Sequence, residues 1–593
     1  MMDNPDRVTY FAATDSRGKR TPFGIKAKDR GRHMYVIGKT GMGKSTLLEN
    51  MAIQDIQNGE GMAFIDPHGS AVEKLLDFIP EHRMKDVVYF APFDLDHPMA
   101  FNIMEDVGYD KRHLVTSGLM ATFKKIWEDA WSARMEYILT NTLLALLEYP
   151  DATLLGVNRM YTDKAYRKKV VDNVKDPVVK DFWTKEFAGY TDRFTQEATP
   201  AIQNKIGQFT SNPLIRNIIG QPHSSFDIRT LMDERKILLI NLSKGLVGDV
   251  NMRLLGSMLT TRIFLGAMSR ANLPPQELAR TPKFYFYVDE FQNFANDTFA
   301  EILSEARKYN LNLIIAHQYV EQMEEQVRAA VFGNVGTTIT FRVGPFDAET
   351  LETVFSPEFL KEDLVNLGFA QVYMTLMIDG IGSRPFSAVT IPPIEQPARS
   401  WKNEVIACSR SQFGNERAAV ENLIYTELMP PEPVQAEPSP RPHADSPRTD
   451  RPAESRPRPE QRDERPRRPQ GDAPRGHHTP ERQGGRPPER TDRPERLERP
   501  PAPPKERSAE DLKAILRSTI AKAEGEKQAK EGKKEEGLKT ALKEAVGKEG
   551  RELPPIPEPP VRTPPPPSPK PETGAPAPFE VSEETLRSIF KDA

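Results

Sequence analysis

Short apolar runs that end on glycine or on a polar pair recur along the chain, separated by stretches whose apolar residues keep helical spacing. "HMYVI" (His33 to Ile37) has nothing polar inside it and predicts a strand buried on both faces, running into a glycine-rich turn. "KSTLLENMAIQDIQNG" follows with the spacing of a helix, closed by Gly59. "GMAFIDPHG" and "DVVYFAPF" (Asp86 to Phe93) are the next strand candidates. From about Asp106 to Leu231 the text turns helical, as in "WSARMEYILTNTLLALLEY", and predicts an α-helical insertion. Strand patterns resume at "KILLINLS" (Lys236 to Ser243), "KFYFYVDEF" (Lys283 to Phe291), "LNLIIAHQ" (Leu311 to Gln318) and "TTITFRV" (Thr337 to Val343). Helices such as "NMRLLGSMLTTRIFLGAMSR" and "FAEILSEARKY" lie between these runs. "QVYMTLMIDG" and "SRPFSAVTIPP" predict a hairpin at the sheet edge. Strands alternating with helices imply a parallel sheet covered on both sides, so the expected class is α/β, interrupted by an all-α domain.

Composition sets the limits of that core. About 33 of the 54 prolines follow Pro430, where apolar runs give way to Pro, Arg, Glu and Gly, a composition that cannot bury a core. The expected division is therefore 1–105 and 232–429 for the two parts of the α/β core, 106–231 for the helical insertion, and 430–593 for a disordered tail. Between Arg441 and Pro500 about 16 Arg face about 12 acidic residues, which reads as a mixed-charge linker more than a DNA clamp. Two islands in the tail, 508–523 and 582–591, place apolar residues on one helical face and suit partner-binding helices. The lone cysteine, Cys408, excludes a disulfide framework and a cysteine zinc site and fits a reducing, intracellular setting. No apolar run approaches the ~20 residues that span a bilayer. A net charge of −4 argues against a surface coated in nucleic-acid-binding charge but leaves room for a local basic groove or pore.

The chemistry begins in "IGKTGMGKSTLLE". Gly38, Gly43, Lys44 and Ser45 fill G-x-x-x-x-G-K-[ST] between a strand and a helix, and Gly41 adds freedom for backbone N–H groups to turn inward on phosphates. Residues Gly38, Lys39, Thr40, Gly41, Met42, Gly43, Lys44, Ser45 and Thr46 are the expected ATP-binding set. Lys44 would reach the β- and γ-phosphates, and Ser45 would hold Mg2+. In "FYFYVDEF", Asp289 and Glu290 stand at the carboxyl end of a strand, where ligands of open α/β sheets gather; Asp289 suits Mg2+, and Glu290 suits polarisation of the attacking water. His317 and Gln318 end a further strand, and Gln318 is the better placed of the two to sense the γ-phosphate. Arg307 and Lys308 either satisfy a helix dipole or, in a ring, face a neighbour's nucleotide as an arginine finger; Arg342 is a weaker candidate for that role. Asp66 either positions metal or water, or caps the helix that starts near Ser70. Lys244, in "SKGLVGDVN", is one candidate pore residue or part of an ordinary turn.

These residues resemble the HerA/FtsK superfamily of pumping ATPases, and within it the type IV secretion coupling proteins. The likeness rests on "IGKTGMGKST", "FIDPHGS", the "FNIM" segment at Phe101, "YVDEFQNF", "SEARKYNLNLIIAHQ" and "FSAVTIPP", and spans roughly Gly24 to Pro393. It implies a RecA-like P-loop NTPase core and a homo-hexameric ring with ATP and Mg2+ at subunit interfaces. It also implies DNA threaded through a central channel, Gln318 as a sensor and Arg307 as the trans cation. Coupling proteins usually carry N-terminal transmembrane helices, which this chain lacks. The expectation is therefore either a cytoplasmic coupling protein, brought to the inner face of the membrane by a partner that engages the tail or secretion channel, or a cytosolic DNA motor unrelated to secretion. A motor handing over proteins, or a nucleotide-switched scaffold, are the alternatives.

Overall fold

The computed structural model describes residues 4–15, 19–105, 107–295 and 297–428, all within one compact unit, Met1–Ser446. The expected disordered tail and its two helical islands lie outside the described residues.

The thirteen strands among the described residues are β1 (Val8–Thr14), β2 (Pro22–Lys26), β3 (Met34–Ile37), β4 (Gly61–Asp66), β5 (Val87–Phe90), β6 (Ile237–Asn241), β7 (Phe284–Val288), β8 (Leu311–His317), β9 (Thr337–Thr340), β10 (Gln371–Thr375), β11 (Met377–Ile378), β12 (Ile381–Gly382) and β13 (Phe386–Thr390). Eleven of them form one sheet, ordered β2-β1-β13-β10-β9-β3-β8-β7-β4-β6-β5, while β11 and β12 pair separately. The seven strands from β9 to β5 are mutually parallel, and the remaining four are antiparallel. Uninterrupted apolar runs suit the parallel part because both of its faces are covered. Successive residues of β3 enter different cores, Met34 and Val36 on the face of the helix Lys44–Gln57, Tyr35 and Ile37 on the other.

One expectation needs correction. The "QVYMTLMIDG" and "SRPFSAVTIPP" runs do pair, as β10 with β13, but they lie inside the sheet, because β1 and β2 continue it beyond β13. The polar N-terminal text concealed those strands: β1 buries Thr9, Phe11 and Ala12 but leaves Tyr10 exposed, and β2 is half-exposed with Pro22 at its start. A pair of helices, Lys402–Phe413 and Arg417–Leu428, also extends past the last strand. Ser409 Oγ accepts the Tyr89 N–H at 2.9 Å and so satisfies part of the free edge of β5. Val420 and Ile424 then pack on Leu155 in the helical segment.

Between β5 and β6 every regular element among the described residues is helical, from Arg112–Ile126 to Ile228–Asp233. These helices share one apolar core with a face of the sheet and with the long helix Asp249–Met268. Gly118 permits a close approach to that helix: a Cβ there would stand 2.6 Å from Thr261 Cγ2.

Candidate nucleotide site

The glycine-rich turn leaves the carboxyl end of β3 and is pinned on both flanks. The Gly38 N–H donates to the His317 carbonyl at the end of β8 (3.3 Å), and the Lys39 N–H donates to the Arg342 carbonyl beyond β9 (2.8 Å). Gly41 and Gly43 take φ of 77° and 118°, a region that side chains avoid. At Gly43 a Cβ would also stand 3.1 Å from Phe341 Cε1, and at Gly38 only 2.5 Å from Phe341 Cβ. Phe341 thus forms the floor of the loop. Its place in "TTITFRV" shows only a strand residue, so its role was invisible before the sheet order was known.

Lys44 opens the helix Lys44–Gln57 and is buried; its ammonium donates to the Gly38 carbonyl at 2.6 Å. Burial lowers its pKa, and the charges of Glu290 and Asp289 oppose that shift. Ser45 Oγ donates to Asp289 Oδ2 at 3.1 Å, which brings the two halves of the sequence motif together. This is an all-oxygen pair of the kind Mg2+ takes, and a Mg2+ held largely by phosphate and water needs no larger cluster of protein ligands. Burial first, then the charges of Glu290 and Asp66, raises the Asp289 carboxyl to about 6. Thr46 lies in the first turn of the same helix, half-buried.

Glu290 occupies the left-handed region (φ 47°, ψ 49°), a strained conformation for a residue with a side chain. Gln292 Nε2 donates to Glu290 Oε2 at 2.6 Å and holds the carboxylate in place. Gln318 is hydrogen-bonded through Nε2 to Thr40 Oγ1 in the phosphate loop. His317 points the other way: it is fully buried, 3.3 Å through Nδ1 from the Tyr35 hydroxyl. Burial, then the nearby Lys44 and Lys125 charges, lowers its pKa to about 3, so it is neutral at physiological pH.

Not every candidate reaches this edge. Arg307, exposed, precedes the amino end of β8, where its charge acts on His33. A seven-residue strand, about 20 Å long, separates it from the phosphate loop of its own chain. Lys308 pairs with Glu305 at 2.6 Å. Asp66 gives one oxygen to the His68 N–H (2.8 Å) and the other to the Ala71 and Val72 N–H groups (2.7 and 3.3 Å), which is a capping geometry. Lys244 pairs with Asp249 at 2.6 Å in a turn whose backbone is bonded to Pro67.

Among the described residues no helix is long and apolar enough to cross a membrane. A family model described as the type IV secretion-system coupling protein DNA-binding domain matches residues 22–363. No curated protein matches the chain. Among solved structures, similarity extends to a bacterial conjugative coupling protein, TrwBdeltaN70, in its unbound monoclinic form: 15% identity, TM-score 0.47, covering 64% of this chain and 89% of that one. Plasmid coupling protein TrwB in complex with ADP and Mg2+ is similar at 14% identity and TM-score 0.47, covering 67% of this chain and 98% of that one. VirB4 of Thermoanaerobacter pseudethanolicus follows at 13% identity and TM-score 0.41, with 67% and 98% covered.

Proposed function

The chain belongs to the family of type IV secretion-system coupling protein DNA-binding domains, and from that premise we propose that it is an ATP-driven motor that translocates DNA for conjugative transfer. Hydrolysis would occur at the subunit interfaces of a homo-hexameric ring, with DNA in the central channel. The observation that carries the ATPase reading is the Ser45–Asp289 contact, which joins a phosphate loop to an acidic strand end beside a held Glu290.

In this reading residues 1–105 and 232–429 form the motor core, and 106–231 is the part inserted into it. The backbone N–H groups of Gly38 to Thr46 cradle the phosphates of ATP, and Lys44 turns from its own loop carbonyls to the β- and γ-phosphates. Ser45 and Asp289 hold Mg2+, which when bound neutralises charge on the phosphate oxygens. Glu290, fixed by Gln292, orients the attacking water and accepts its proton. Gln318, tied to Thr40, registers whether the γ-phosphate is present. Arg307 is too far from its own loop to act in cis, so it serves the neighbouring subunit. The motor works in the cytoplasm and reaches the inner face of the membrane through a partner that engages the tail.

ATP turnover by the purified chain, with and without single- or double-stranded DNA, tests this. Stimulation by DNA is expected; normal basal turnover with no response to either form would refute the DNA reading. A Lys44→Ala variant with full turnover would refute the phosphate-loop assignment itself.

A further inference from the structure

Lys125 stands in the last turn of Arg112–Ile126, on the helical side of the molecule, and its side chain is only 20% exposed. Its ammonium donates to the carbonyl oxygen of Ala295 and lies 4.0 Å from the Glu324 carboxylate. Ala295 closes the turn that begins at Glu290, and Glu324 lies in the turn that follows Gln318. One cation from the helical segment therefore touches both stretches that carry the water-handling residues.

The Glu290–Ala295 turn is internally bonded, so a pull at one end is felt at the other. The Asn293 backbone and side-chain N–H groups both donate to the Glu290 carbonyl, at 3.0 Å each, and the Ala295 N–H donates to the Phe291 carbonyl at 2.9 Å. Phe291 packs on His317 with ring centres 4.9 Å apart, which couples this turn to the end of β8. The helix bearing Lys125 is seated just as firmly. Gly118 lies against Thr261 of Asp249–Met268, and a Cβ at Gly256 of that second helix would stand 2.1 Å from the Phe294 ring. Displacement of the helical segment thus has a short, stiff route to the carboxylate of Glu290.

We propose that Lys125 is the positioning residue through which the helical segment sets the rate of hydrolysis, by holding the Glu290–Ala295 turn and the turn after Gln318 in one register. This deepens the ATPase reading and rests on it. A DNA load that shifts the helical segment would then re-aim Glu290 without touching the phosphates.

The test compares Lys125→Met, Lys125→Arg and Glu324→Gln in the full chain, measuring ATP turnover with and without DNA and the KM for ATP. Lys125→Met should lower kcat about tenfold and lose the DNA response, with KM changed less than about twofold. Lys125→Arg should restore both. The partly exposed Glu324→Gln, which carries little risk to folding, should weaken the DNA response while sparing KM. Wild-type kcat and DNA response in Lys125→Met, or kcat lost equally in Lys125→Arg, would overturn the proposal. If the wild-type chain itself hydrolyses no ATP, the ATPase reading falls, and Lys125 is judged by hydrogen exchange. Faster exchange of the 291–295 and 320–324 amides in Lys125→Met than in wild type is then expected, and identical exchange would overturn it.

Discussion

Replacing Asp289 by Asn should abolish turnover and make the protein more stable at neutral pH. Asp289 is 4% exposed, and its folded carboxyl sits at about 6 against an ordinary 3.8. The Ser45 hydroxyl and the Lys44 ammonium favour ionisation, but burial and the charges of Glu290 and Asp66 outweigh them. Because the folded value is raised, the stability linked to this group is fully present below pH 3.8 and is lost as pH rises through about 6. A shift of about two units corresponds to about 3 kcal/mol against the folded protein at pH 7. Asn has nearly the same shape and can still accept the Glu290 N–H, now bonded at 2.9 Å, without carrying a charge. Urea unfolding in the presence of a chelator, from pH 4 to 7.5, provides the assay. The two proteins should have similar midpoints near pH 4, and the Asn variant should pull ahead as pH rises to about 6. A gap that does not change with pH, or a less stable variant at pH 7, would refute the reasoning.

Other outcomes follow from the same geometry. Glu290→Gln should keep ATP binding but lose about 10²- to 10⁴-fold in single-turnover hydrolysis, measured by quenched flow. Gly43→Ala, strained at φ 118° and crowded by Phe341, should lose affinity for a fluorescent ATP analogue. Arg30→Met should destabilise by about 3–5 kcal/mol in urea, because Asp55, which Arg30 contacts at 2.6 and 2.8 Å, would be left buried and unpaired; Arg30→Met with Asp55→Leu should recover most of that loss. Deleting everything after Pro430 should leave turnover nearly unchanged, and loss of soluble protein would move the boundary.

Buried parallel strands were legible because their sequence is apolar on both faces, as in β4, β6 and β7, and each was read within a few residues of its ends. The Ser45–Asp289 pairing was also legible, since each residue sits in a motif whose strand context fixes its place. The antiparallel side was less so. β1 and β2 are partly exposed and lack a tight turn signal, and the pairing of β1 with β13 joins residues more than 350 apart in sequence. Sequence preferred Gln318 to His317, and strand alternation bears on that choice by sending His317 into the core and Gln318 toward the loop. Lys125 gave no signal, because a lysine in the last turn of a helix is ordinary and only the packing brings it to Ala295.

The helical segment joins β5 to β6, and these are adjacent parallel strands. Any parallel pair needs a crossover that returns the chain to the opposite end of the sheet, usually a single helix. Here that one obligatory return has been enlarged into the whole of 91–236. The enlargement leaves the strand register as it was, so the inserted helices can be rebuilt or lengthened while the strand ends that carry the phosphate loop and Asp289 stay fixed. Changes to that segment would act on the nucleotide edge through the apolar core the two share and through contacts such as that of Lys125 with Ala295.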